Sequence, residues 1–281
     1  MEDVILHRLT VLGHPGRMAV FRLLMRRLPD AVPAGEIGRA LGIKPSTLSV
    51  YLSALAGAGL VGQHRSGTSI RYRAETCAVA GIIGFLFEDC CRARPASCPP
   101  SLSSPLAGDT SMTDRKYNVL FICVGNSARS VFAESILRDM AGTRFVAHSA
   151  GTRPYSELNP FALEVLRAKG HDTGALRAKN VSEFQAEDAP AMDFVFTVCD
   201  RAANEECPPW HGQPITGHWS TPDPVAAEGT EAEKSLAFQR AYGMLRNRIM
   251  AFTALPLETL DRKSLQAAVD DIGPEDGEAQ A

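Results

Sequence analysis

No apolar run in this 281-residue sequence approaches the ~20 residues needed to cross a bilayer, so no membrane-spanning helix is expected. The start, MEDVILHRLT, lacks the charged and then apolar regions of a secretory leader, which makes a cytoplasmic protein the expectation. In that compartment the seven cysteines stay reduced, so a disulfide framework is excluded and clustered thiols point to metal binding or catalysis. Cys77, standing apart from the others, is expected to be a small buried hydrophobe. Nor is there a strong net charge: the total is −3. That small total hides an asymmetry, because residues 1–98 carry 12 Lys and Arg against 7 Asp and Glu, and the remainder is acidic. A polyanionic partner is therefore expected for the first part only. No internal repeat is present.

The length suits two domains of ordinary size. The Pro- and Ser-rich stretch RARPASCPPSLSSPLAGDTSMTDRK divides them. The expected division is a DNA-binding domain over 1–92, a flexible linker over 93–116, an enzyme domain over 117–256, and a short helix with a disordered acidic tail over 257–281. Helical patterns fill the first part, beginning with Val20, Leu23, Leu24 and Leu28 at helical spacing. In the second part strands (VLFICV, FVAHSAG, DFVFTVC) alternate with helices, ending in the long helix EKSLAFQRAYGMLRNRIMAF. The fold class follows: a mainly α winged helix-turn-helix domain, then an α/β doubly wound parallel sheet.

In the first part a helix over Ala34–Leu41 stops at Gly42 and a second begins at Pro45, a residue suited to the first helical turn. Leu48, Leu52 and Leu55 face the core, which leaves Ser46, Thr47, Ser49 and Tyr51 for phosphates and base edges. QHRSGTSIRYR then reads as a hairpin wing around Ser66-Gly67, with Arg65, Arg71 and Arg73 available for backbone phosphates. Three thiols, Cys90, Cys91 and Cys98, follow the apolar run AVAGIIGFLF. Adjacent cysteines rarely bond to each other, so a soft ion is the expected partner. Zinc prefers four ligands, and no His lies within 90–98 to supply the fourth. Ligand type alone leaves As(III), Sb(III), Cd and Cu(I) open.

LGHPGRMAVFRLL, IKPSTLSVYLSALAGAGLV and the wing resemble the ArsR/SmtB winged-helix repressors. The resemblance implies a homodimer formed through the N-terminal domain, a palindromic operator, and release from DNA by a metal or metalloid inducer. AGEIGRALG carries no cysteine, so the inducer site of this chain is not on that helix. FLFEDCCRARPASC resembles the triple-cysteine arsenite site of one subgroup, which implies that Cys90, Cys91 and Cys98 bind As(III).

In the second part the strand VLFIC runs into CVGNSARS, which opens a helix. Cys123 and Arg129 thus bound a loop (Val124, Gly125, Asn126, Ser127, Ala128, Arg129) whose amides can converge on an oxyanion at a helix N-terminus. A nucleophilic thiolate is stabilised there by the helix dipole, by Arg129 and by a hydroxyl such as Ser130. Cys199, the last residue of DFVFTVC, is expected at the same end of the sheet, and Cys207 follows eight residues later. Two further thiols suit a reductase in which Cys123 attacks arsenate, Cys199 attacks Cys123, and Cys207 resolves the disulfide. Asp223, between two prolines in HWSTPDP, is the expected general acid. Asp200 is second, with helix capping as its alternative role.

CVGNSARS, HSAGTRP, NPFALEVLRAKG, DFVFTVCDRAANEECPPW and HWSTPDP resemble the arsenate reductase branch of the low-molecular-weight tyrosine phosphatase fold. The resemblance implies Cys123 as nucleophile, Asn126 as loop brace, Arg129 as oxyanion grip, Ser130 as thiolate partner and Asp223 as acid. It implies no bound cofactor, and thioredoxin, or else glutathione with glutaredoxin, as reductant. Val225 replaces the aromatic that phosphatases place after the acid and Pro. The expectation is an arsenic-responsive repressor fused to an arsenate reductase. The alternatives are a tyrosine phosphatase fused to a metalloregulator, and a regulator whose second domain only senses oxyanion or redox state.

Overall fold

The computed structural model describes residues 2–66, 69–90, 115–186, 188–205, 210 and 213–273, and the chain divides into two units, Met1–Gly108 and Asp109–Ala281. Cys91, Cys98, Cys207, nearly all of the expected linker and the tail beyond Gly273 lie outside the described residues.

The first unit opens with α1 (Glu2–Leu12) and α2 (Pro15–Arg26). Pro15 starts α2, and His14 Nδ1 caps it by accepting from the Gly16 and Arg17 amides at 3.1 and 3.4 Å. Val20, Leu23 and Leu24 are buried on its inner face. Leu28, expected on the same helical face, lies beyond the helix end, since Pro29 disfavours helical backbone at the residue before it. After β1 (Val32–Pro33) comes α3 (Ala34–Leu41), which ends at Gly42 in the left-handed region, φ +64°. Glycine adopts that conformation without steric cost. Next, α4 (Pro45–Gly57) turns Leu48, Leu52 and Leu55 into a core that includes Ile37 and Leu24. β2 (Val61–Ser66) and β3 (Ser69–Ala74) pair as an antiparallel hairpin, with β1 on the far side of β3. α5 (Thr76–Gly84) runs into a π-helical turn, Phe85–Cys90. Cys77 is exposed, contrary to expectation, because Ala78 and Ile82 take the inward face of α5.

In the second unit β4 (Tyr117–Cys123), α6 (Arg129–Ala141), β5 (Phe145–Gly151) and α7 (Pro160–Ala168) precede β6 (Phe194–Thr197) and α8 (Asp200–Asn204). β7 (Ile215–His218), α9 (Glu231–Thr253) and α10 (Arg262–Ile272) complete it. Val119, Leu120, Phe121 and Ile122 are buried in succession rather than alternately, as in a strand covered on both faces. The sheet is wholly parallel, in the order β5-β4-β6-β7. The chain therefore leaves β4 toward opposite sides in turn, and a crevice opens at the carboxyl end of β4, where Cys123 stands.

β6 ends at Thr197 instead of reaching Cys199, because Cys199 is already the N-cap of α8. β7 escapes an apolar-pattern reading because Gly217 interrupts it. A Cβ there would sit 2.9 Å from Phe196 and Val269 side-chain atoms, so only glycine fits against the aromatic layer. That layer includes Trp219, stacked 4.0 Å from the ring of Phe196.

Candidate active site and nucleic-acid interface

Residues 123–129 form the turn from β4 into α6. Its carbonyls point outward: those of Cys123, Val124, Gly125 and Ser127 accept from the amides of Thr152, Arg153, Tyr155 and Asn159 at 2.9–3.1 Å. This pinning turns the loop's amides inward, toward the uncapped N-terminus of α6, the geometry of an anion cradle. A Cβ at Gly125 would lie 2.6 Å from the Tyr155 ring, so any larger residue would have to push that exposed ring aside.

Cys123, 3% exposed, lies at the base of the cradle. Its Sγ accepts from the Asn126 amide at 3.2 Å and lies 3.0 Å from Ser130 Oγ. Asn126 is held in the left-handed region, φ +45°, by its own side chain. The Asn126 Nδ2 donates to Ser130 Oγ (2.8 Å) and Ser149 Oγ (2.9 Å), and Oδ1 accepts from the Lys179 amide at 2.7 Å. Behind it Ser149 donates to Glu134, which pairs with Lys179 Nζ at 2.9 Å. Glu134 and Lys179 carry no local motif, and Ser149 lies in HSAGTRP with no role marked by its neighbours.

Arg129 reaches across the crevice. Its Nη2 donates to Asp223 Oδ2 at 2.7 Å and its Nη1 to the Thr221 carbonyl at 3.1 Å. Asp223 also caps the short 3-10 turn Pro224–Ala226 by accepting from the Val225 amide at 3.2 Å. Asp200 is not a helix cap: it follows the cap residue Cys199, and its carboxylate meets His218 Nε2 (3.1 Å) and Ser220 Oγ (2.7 Å). Burial, with the nearby Cys123 adding to it, pushes the Cys199 thiol up to about 11; Arg129 and the Ala202 and Val124 amides pull the other way. The fold thus gathers Cys123, Asn126, Arg129, Ser130, Cys199 and Asp223 at one sheet end. Cys207 lies outside the described residues.

In the first unit Ser46, Thr47 and Ser49 are exposed at the start of α4, whereas Tyr51 is half-buried, its ring 5.0 Å from that of His14. In the hairpin Arg65 pairs with Ile70 and Arg71 with His64, so the two arginines point from opposite faces. Cys90 is exposed at the end of the π-helical turn.

A cysteine, an arginine and an oxyanion cradle at the switch point of a four-stranded parallel sheet define a phosphatase-type oxyanion enzyme, preceded in the chain by a winged helix-turn-helix. Residues 118–266 match the family described as low molecular weight phosphotyrosine protein phosphatase, and residues 12–63 match a helix-turn-helix domain. The arsenate reductase of Bacillus licheniformis is 34% identical over 137 residues, which is 49% of this chain and 95% of that protein. That of Bacillus subtilis is 33% identical over 134 residues, 48% of this chain and 93% of that protein. A solved arsenate reductase in the phosphate binding state aligns at 24% identity and a TM-score of 0.40, over 48% of this chain and 94% of its own. The chain belongs to the low-molecular-weight phosphotyrosine protein phosphatase family, in its arsenate reductase branch, and carries a helix-turn-helix domain ahead of it. Among the described residues no helix is long and apolar enough to cross a membrane.

Proposed function

We propose that this chain reduces arsenate to arsenite with its second unit and represses transcription in response to arsenite with its first. The observation that carries the reductase reading is the second thiol: Cys199 is buried close enough to Cys123 for Cys123 to help raise the Cys199 thiol, and phosphoryl transfer has no use for it. Cys123 Sγ attacks arsenic held in the cradle by loop amides and Arg129, and an oxygen leaves as water with a proton from Asp223. Cys199, kept a neutral thiol by burial until then, attacks Cys123 Sγ as it passes its proton to an oxygen of the departing arsenite. The S–As bond breaks with its electron pair on arsenic, giving As(III) and a Cys123–Cys199 disulfide. Cys207 exchanges onto Cys199, and a dithiol reductant, thioredoxin in preference to glutaredoxin, reduces the resulting bridge.

For the first unit, the exposed Ser46, Thr47 and Ser49 at the start of α4 support docking in a DNA major groove, with wing arginines on phosphate. Homodimerisation through this unit and a palindromic operator accompany the reading. Cys90, Cys91 and Cys98 hold As(III) as the inducer. A thiol relay and a thiol inducer site both need reduced cysteines, which suits the cytoplasm.

One observation favours a second reading of the enzyme. Tyr155 is 57% exposed against Gly125 of the cradle, where an aryl phosphate would find a ring to pack on. Steady-state assays with arsenate, offering thioredoxin and glutaredoxin separately, and with phosphotyrosine decide between them. Arsenate-dependent oxidation of reductant is expected. Phosphotyrosine hydrolysis with no arsenate reduction would overturn the reductase reading.

A further inference from the structure

We propose that Arg248 of α9 is the positioning residue of the acid loop: it keeps Asp223 in place when Arg129 releases that carboxylate to hold an oxyanion. The inference rests on the reading of Asp223 as general acid. Arg248 is 7% exposed, and its guanidinium is spent on the loop and on the end of the last helix. Nη1 donates to the Ser220 carbonyl at 2.6 Å and to Thr221 Oγ1 at 3.1 Å, and Nη2 donates to the Gly273 carbonyl at 3.2 Å. Burying a guanidinium is costly unless its donors are used. Here Nη1 is used on Ser220 and Thr221, three and two residues before Asp223, and Nη2 on Gly273.

Thr221 lies between two guanidinium groups. Its carbonyl accepts from Arg129, its hydroxyl accepts from Arg248, and that hydroxyl donates in turn to the Trp219 carbonyl at 3.0 Å. In the resting protein Arg129 therefore holds the segment twice, through Thr221 and through Asp223. An oxyanion in the cradle competes for the same guanidinium, and both holds weaken together. The partners of these Arg248 bonds, Ser220, Thr221 and Gly273, are not residues of the cradle, so oxyanion binding there does not displace them. They leave the acid loop anchored at the moment when the acid has to act, which is a requirement of orientation rather than of overall stability. Gly273 brings the end of α10 onto the same guanidinium, so the last helix is tied to the acid loop.

The test uses full-length Arg248→Met, Arg248→Lys, Asp223→Asn and the Asp223→Asn/Arg248→Met double variant. Arg248→Met should lower kcat for arsenate about tenfold or more, within the range of general-acid effects, while KM and inhibition by inorganic phosphate stay within about threefold. Arg248→Lys should recover part of the loss. The double variant should be no slower than Asp223→Asn, because a residue that acts only through the acid has nothing left to position. Hydrogen exchange of residues 219–226 gives a readout without turnover: on adding phosphate, Arg248→Met should lose protection that wild type keeps. Equal exchange in the two proteins, or additive losses in the double variant, would overturn the role of Arg248 and leave the reductase reading standing. If Asp223→Asn turns over like wild type while exchange still depends on Arg248, the acid assignment fails and the anchor survives.

Discussion

Arg129 and Asp223 form an ion pair of 2.7 Å across the crevice, so the guanidinium proposed to grip the oxyanion is occupied by the carboxylate proposed as the acid. Asp223→Asn removes the competing charge and the proton donor together. The two consequences run in opposite directions. Inorganic phosphate should inhibit the variant more tightly than wild type, whereas kcat for arsenate should fall about 100-fold. Weaker phosphate inhibition would show that Asp223 supports the grip instead of opposing it.

The proposed relay divides labour among three thiols. Cys207→Ser should complete about one turnover and accumulate a Cys123–Cys199 disulfide, visible by mass spectrometry, and Cys123→Ser should complete none. Multiple turnovers by Cys207→Ser with the normal reductant would remove Cys207 from the mechanism.

Cys199 links the site to stability. Its thiol is raised from an ordinary 9.0 to about 11 by burial, so above pH 9 the unfolded chain loses the proton more readily than the folded one. The stability it contributes is present below pH 9 and is lost as pH rises toward 11, by about 3 kcal/mol in all. Urea unfolding of wild type and Cys199→Ser should therefore diverge in slope between those pH values, the wild type falling faster. Parallel curves would mean that the buried thiol ionises as freely as an exposed one.

The order of chemistry and sensing can be read at the operator. Arsenite should release labelled operator DNA from wild type and from Cys123→Ser, but not from a Cys90→Ser, Cys91→Ser double variant. Arsenate with a complete reductant system should release it only where Cys123 is intact. Release of Cys123→Ser by arsenite-free arsenate, followed by fluorescence anisotropy, would mean that oxyanion binding alone drives the repressor.

In the hairpin, Arg65 is exposed beside Ile70, and the half-buried Arg71 points from the opposite face with His64. Arg65→Ala should flatten the salt dependence of DNA binding by about one unit of slope and leave the melting temperature unchanged. Arg71→Ala should lower the melting temperature too, because its stem packs on the domain. Identical effects of the two would argue that the hairpin twists both arginines onto one surface.

The sequence by itself determined what depends on neighbours along the chain. Gly42 and Pro45 set the helix-turn-helix boundaries because φ preference and a missing amide act within one turn. The cradle was equally legible, since a strand, a loop from Cys123 to Arg129 and a helix are contiguous, and parallel pairing was enough to bring Cys199 to the same end. Tertiary structure alone decided what depends on which faces meet. Cys77 has the character of a buried residue, yet α5 turns it outward because Ala78 and Ile82 face the core. Glu134, Ser149 and Lys179 became the support of Asn126, and Arg248 the partner of Ser220 and Thr221, through contacts between segments far apart in the chain. No local preference marks such residues: a charged side chain on a helix reads as solvated until packing removes the water and backbone carbonyls replace it.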